Sequence, residues 1–177
     1  MFRFRLLSAV LLLSLSSASM AGFYVGGNVG SANTDDPSGG IDDSDTGYKI
    51  YLGGEINNYF AVEGYYAAFG EPTFSDGFNT AKSEITGIGV DVIGKLPVGS
   101  SSKFFGSIGF FNWDETYSIN GFTTFEDDGT DLKLGIGFQQ SFNQTISLRI
   151  EYEAFYIQDS FDNIDVTMLS AGLQINF

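Results

Sequence analysis

The stretch TISLRIEYEAFYI, residues 145–157, restricts the fold more than any other part of the chain. Ile146, Leu148, Ile150, Tyr152, Ala154 and Tyr156 are apolar or aromatic at every second position. Ser147, Arg149, Glu151, Glu153 and Phe155 stand between them. A period of two is the mark of a β-strand with two unlike faces. If the apolar face points inward, the chain is a soluble barrel or sandwich. If it points outward, the solvent is lipid and Arg149 lies inside.

The first residues read as an export signal. Arg3 and Arg5 precede an apolar run from Leu6 to Leu15, and Ser19-Met20-Ala21 offers small residues three before and one before a cut. That run is shorter than the roughly 20 residues a membrane-spanning helix needs. Residues 1–21 are therefore expected to be a cleaved signal peptide, and 22–177 a single barrel domain. All 22 acids follow the signal, against six bases: Lys49, Lys82, Lys95, Lys103, Lys133 and Arg149, a balance of −16. A basic footprint for nucleic acid is absent. Histidine and cysteine are absent too. A serine nucleophile usually needs an imidazole base, and zinc sites need imidazole or thiolate, so neither an enzyme nor a cofactor is expected. Glu151 and Glu153 are paired carboxylates, but neighbours on one face of one strand do not flank a substrate.

Period-two runs recur at roughly 22–33, 46–56, 59–70, 83–96, 102–117, 130–141, 145–157 and 164–177. Several reach the length of about ten residues with which a tilted strand crosses a bilayer. The connections alternate. Asn57-Asn58, Pro97 to Ser101 and Phe142 to Gln144 are short; residues 34–45, 71–82, 118–129 and 158–163 are longer and rich in Asp, Glu, Gly and Asn. Short turns at one end and long loops at the other predict an all-β fold, a transmembrane eight-stranded antiparallel up-and-down β-barrel with both termini on the short-turn, periplasmic side.

One face of these strands collects Phe23, Ile50, Leu52, Phe60, Val90, Phe110, Ile136 and Leu173. The other collects glycines and a few polar groups, among them Asn28, Ser107 and Gln174. An eight-stranded barrel is just wide enough inside for side chains to fill it, which suits glycines among a few long polar groups. A soluble barrel would carry a denser, lysine-rich coat. The polar set is therefore assigned to the lumen as an ion-pair network of Glu63, Arg149, Asp91, Lys133, Glu151, Lys49 and Glu55 with Gln139. Trp113 shares the parity of Ser107, which leaves it either in an interfacial girdle with Phe23, Tyr59, Phe104, Tyr117 and Tyr156 or inside the lumen.

The segments GFYVGGNVG (22–30), DTGYKIYLGGEINNYFAVEGYYAAFG (45–70), SLRIEYEAFY (147–156) and LSAGLQINF (169–177) resemble, in that order, the OmpA-like and opacity-type outer-membrane β-barrel family. The resemblance implies an eight-stranded barrel in a Gram-negative outer membrane. It implies that Phe177, with Ile175 and Leu173 at alternate positions before it, signals to the outer-membrane assembly machinery. It also implies lumen ion pairs that plug or gate the barrel. Glu63 and Arg149 fall on the matching positions, whereas the family's second pair is not kept, with Gln139 and Asp91 at those places.

The acid clusters at Asp35, Asp36, Asp42, Asp43 and Asp45, and at Glu126, Asp127 and Asp128, are read as solvated loops. DDSDTG lacks the later bidentate glutamate of a full calcium loop, so Asp42, Asp43 and Asp45 make at most a weak metal site. The expected partners are the lipid bilayer, lipopolysaccharide through divalent bridging, and host or environmental surface ligands. The expected role is structural or surface-interacting, with a largely plugged lumen; a small porin-like pore is the alternative.

Overall fold

A chain that crosses hydrocarbon as strands must leave no backbone N–H or C=O without a partner, and only a closed sheet does that. The computed structural model describes residues 22–35, 42–70, 73–75, 80–119, 122–158 and 163–177. They form strands β1 (Gly22–Asp35), β2 (Asp42–Glu55), β3 (Phe60–Ala68), β4 (Thr73–Ser75), β5 (Thr80–Val98), β6 (Ser102–Ile119), β7 (Phe122–Ser141), β8 (Ile146–Gln158) and β9 (Asn163–Asn176). Every pairing is antiparallel, and neighbours in the sheet are neighbours in sequence apart from β1 with β9 and β3 with β5, the pairings that close the ring. β3 and β4 are two pieces of one stave: β3 pairs with Thr86–Gly94 of β5 and β4 with Thr80–Lys82. The wall thus has eight staves. The interruption falls at Gly70, whose φ of 86° turns the chain out of the strand.

The register sets the width. Following paired residues once round the wall from Tyr24 through Gly53, Glu63, Asp91, Gly109, Lys133, Phe155 and Val166 returns to β1 at Thr34, ten residues farther along. Eight staves with that stagger, at a rise of roughly 3.3 Å and a spacing of about 4.8 Å, tilt by about 40° and enclose a backbone radius of about 8 Å. Side chains reaching in from opposite walls meet at the axis.

Period two places the apolar set outside. Phe23, Ile50, Leu52, Phe104, Phe110, Ile136 and Leu173 are each more than half exposed, a surface that only an apolar solvent accommodates. On β6 this face stays apolar or glycine from Phe104 until Asn112. At that tilt the interval is about 20 Å, close to the ~25 Å apolar band of outer-membrane barrels. Beyond Asn112 the ladder continues: β6 and β7 remain paired to Ile119 and Phe122, and β1 and β2 to Asp35 and Asp42. Much of what reads as loop at 34–45, 71–82 and 118–129 is therefore strand. The sequence keeps no regular apolar alternation there, while the backbone ladder persists.

Asparagine shapes two of the short turns in one way. Asn57 Oδ1 accepts from the N–H groups of Tyr59 and Phe60 (2.8 and 2.9 Å), and Asn143 Oδ1 from those of Thr145 and Ile146 (2.8 and 2.7 Å). Inside, aromatic rings lie flat over glycines on the adjacent strand. A Cβ on Gly53 would enter the Tyr24 ring, and one on Gly26 the Tyr51 ring. At Gly109 the obstacle is the wall itself, the Val90 carbonyl oxygen and the Asp91 carboxylate. Gly109→Ala is expected to cost about 1–3 kcal/mol, read as a lower urea midpoint in lipid vesicles. Gly94, outward and with nothing near its missing Cβ, is the control: Gly94→Ala should change stability by less than ~0.5 kcal/mol.

Candidate functional site in the barrel interior

Because side chains alternate, Arg149, Glu151 and Glu153 of β8 all enter the lumen, where they meet bases from other staves. The result is a chain of seven charges alternating in sign. Glu63 receives Arg149 twice, at 2.6 Å from Nη1 and 3.3 Å from Nη2. Arg149 Nε lies 2.5 Å from Glu151 Oε1. Lys49 Nζ joins Glu151 to Glu153, at 2.6 Å from each. Lys133 Nζ joins Glu153 (2.6 Å) to Asp91 (2.5 Å) and also donates to Ser107 Oγ at 3.1 Å. All seven are buried. Each would cost several kcal/mol to desolvate alone; alternation makes every neighbour a counter-ion.

Neutral groups complete the layer. Tyr24 OH donates to Glu63 Oε2 (3.0 Å) and Asn28 Nδ2 to Glu151 Oε1 (2.9 Å). The Arg149 guanidinium sits over two rings, with Cζ 4.4 Å from the Tyr51 centroid and 4.6 Å from that of Phe105, the planar stacking that an ammonium cannot reproduce. Toward the short turns lies a smaller group: Glu55 pairs with Lys95 at 2.6 Å and Lys103 at 3.4 Å. Toward the long hairpins the lumen turns apolar. Tyr65, Phe69, Phe111 and Phe155 form one ring cluster with centroids 4.7–6.5 Å apart. Ile157, Val166 and Met168 lie buried with them in the interior cluster.

The eight lumen residues named from sequence all enter the interior, and seven of them make ion pairs. Gln139 is buried and stands opposite Arg149 in the β7–β8 ladder. Asp91 pairs with Lys133 from two staves away, both of them members of the network assigned from the sequence. Three members were missed. Glu153, the node between Lys49 and Lys133, shares the parity of Arg149 and Glu151, so its signal was present. Lys95 and Lys103 share the parity of Asp91 and Ser107. The aromatic cluster was missed because inward rings and lipid-facing rings have the same composition. Trp113 belongs inside, 1% exposed, with Nε1 donating to Asp131 Oδ2 at 2.8 Å.

With this arrangement in view, comparison with known proteins decides the family. The description "Outer membrane protein beta-barrel domain" covers residues 5–177. The chain belongs to that family. Members of the outer-membrane barrel family lie in the outer membrane of Gram-negative cells, which places this barrel in that bilayer. Among solved structures, Neisserial surface protein A matches with a TM-score of 0.76 at 18% identity, over 88% of this chain and 97% of that one. Ail, the attachment invasion locus protein of Yersinia pestis, in complex with the heparin analogue sucrose octasulfate, matches at 0.66 and 16%, over 89% and 100%. OprG from Pseudomonas aeruginosa matches at 0.59 and 14%, over 89% and 97%. At these identities the likeness carries the fold. No curated protein matches the sequence at a significant level.

The remaining positions singled out in the sequence fall elsewhere on this outer-membrane barrel. Leu173, Ile175 and Phe177 line the outward face of the last strand and its end, 54, 44 and 80% exposed. Residues 1–21 and the side chains of Asp42 and Asp43 lie outside the described residues. Asp45 Oδ1 accepts from the N–H of Thr46 at 2.6 Å. Among the described residues no group of His, Cys, Asp or Glu is arranged to hold a metal ion. Glu151 and Glu153 share the Lys49 ammonium, and each has a second cation, Arg149 for Glu151 and Lys133 for Glu153.

Proposed function

We propose that this is a surface-interaction barrel whose acidic hairpins meet the outside of the cell and whose lumen is closed by its own side chains. The observation that carries the reading is the division of charge. Of the 22 acids, Glu55, Glu63, Asp91, Glu151 and Glu153 belong to the interior pairs, and by chain position the other 17 lie toward the long hairpins. Five of the six bases after residue 21 are inside; Lys82 is the exception. Polyanions are repelled by such an end. Ail's complex with a polysulfated ligand is therefore a poor guide to the partner here, and cationic surfaces or ones bridged by divalent ions fit better. Lipopolysaccharide phosphates would be met through such bridges. In this reading residues 1–21 are the export signal, and the mature protein begins at Gly22.

Binding of whole cells with and without the protein to cationic and anionic surfaces tests the proposal. Preference for the cationic surface, weakened by salt, is expected; equal binding to both would remove the role assigned to the acids. EDTA should weaken contact with lipopolysaccharide, and indifference to EDTA would remove the bridging. The second reading, a small pore, draws on the water-soluble chemistry of the lumen. Planar-bilayer recording separates the two, with low or flickering conductance expected here and large steady channels expected of a pore.

A further inference from the structure

We infer that the lumen is closed by two barriers in series, an ionic layer at mid-height and an aromatic layer on its long-hairpin side, and that breaking either alone leaves no path through. The inference rests on the closed-lumen reading and assigns the seal to particular residues. The ionic layer is not tight by itself. Asn28 Oδ1, Asp91 Oδ1 and Glu153 Oε2 are buried there without a hydrogen-bond partner in the protein, and polar atoms so placed are satisfied by water. A layer that admits water admits ions once its own charges are unpaired.

The aromatic layer differs in kind. Phe69, Phe111 and Phe155 arrive from three different staves and meet edge to face, with centroids 4.7, 5.0 and 5.7 Å apart, all three rings buried. Tyr65 forms its underside, stacked on Phe111 at 6.1 Å, with the ammonium groups of Lys49 and Lys133 5.6 and 5.2 Å from its ring. The two layers are therefore in contact. An ion crossing the rings would shed its hydration against apolar faces, and a constriction of this type gates by dewetting.

Planar-bilayer conductance of refolded protein tests this with three variants: Glu63→Gln, which keeps the volume and removes one of the two carboxylates on Arg149; Phe111→Ala with Phe155→Ala; and all three together. Folding is checked for each by the difference in gel mobility between unboiled and boiled samples. Glu63→Gln and the double-alanine variant should stay near the wild-type level, and the combination should rise by roughly ten-fold or more. A large wild-type current would end the closed-lumen reading itself. With wild type closed, an opening by Glu63→Gln alone, or by the alanines alone, to the level of the combination would overturn the series arrangement. So would a combination that stays shut. If the triple variant does not fold, Glu63→Gln with Phe155→Ala decides: a current above that of either single variant sustains the inference, and no rise overturns it.

Discussion

Arg149→Ala is expected to be the most damaging single substitution in the barrel, costing about 3–5 kcal/mol of stability in lipid vesicles. The loss comes less from the bonds removed than from what is left behind. Glu63 and Glu151 would both remain buried, Glu63 without its two-pronged partner and Glu151 with Lys49 as its one remaining cation. The faces of Tyr51 and Phe105 would lose the cation between them. Adding Glu63→Gln should return part of the loss, because one stranded charge is then gone. Arg149→Lys should fall between, keeping the charge but neither the fork nor the stack. Urea midpoints for the four proteins give the comparison. A single-mutant cost below ~1 kcal/mol would mean that water screens the pair as it would at a surface.

Removal of Phe177 is expected to separate stability from assembly. Its side chain is 80% exposed, and its described tie to the barrel is the backbone bond from its N–H to the Phe23 carbonyl at 2.8 Å. Truncation to Asn176 should therefore move the unfolding midpoint of refolded protein by less than ~0.5 kcal/mol. In cells the same truncation should abolish most of the outer-membrane population, on the proposal that the assembly machinery reads the end of the last strand. Immunoblots of outer-membrane fractions measure the second effect and urea titration the first. Normal levels in the membrane would leave Phe177 as an ordinary lipid-facing residue.

Much of the interior could be read from parity alone. Arg149 and Glu151 announce their face because a buried charge among period-two apolar neighbours has one place to go. Glu153 carries the same signal. Asp91 was harder, since its partner Lys133 lies 42 positions away and no spacing rule links them. Rings are the residues for which parity gives an answer but composition does not: Phe110 faces lipid and Phe111 faces the lumen, and only their neighbours reveal which strand phase is which. The hairpin extensions were invisible for another reason. Past the apolar band no lipid face selects an alternation, though backbone bonds hold the strands together as before.

The order of the strands, the outward face and the inward charges were determined by local chemistry: turn asparagines and glycines, period two, and the scarcity of bases. What tertiary structure decided was who meets whom across the axis. The ten-residue stagger brings Lys49 of the second strand between two glutamates of the eighth, and sets Phe69, Phe111 and Phe155 together above them. Those meetings depend on the closure of the ring and on a radius of about 8 Å, which are properties of all eight staves at once and of no segment alone.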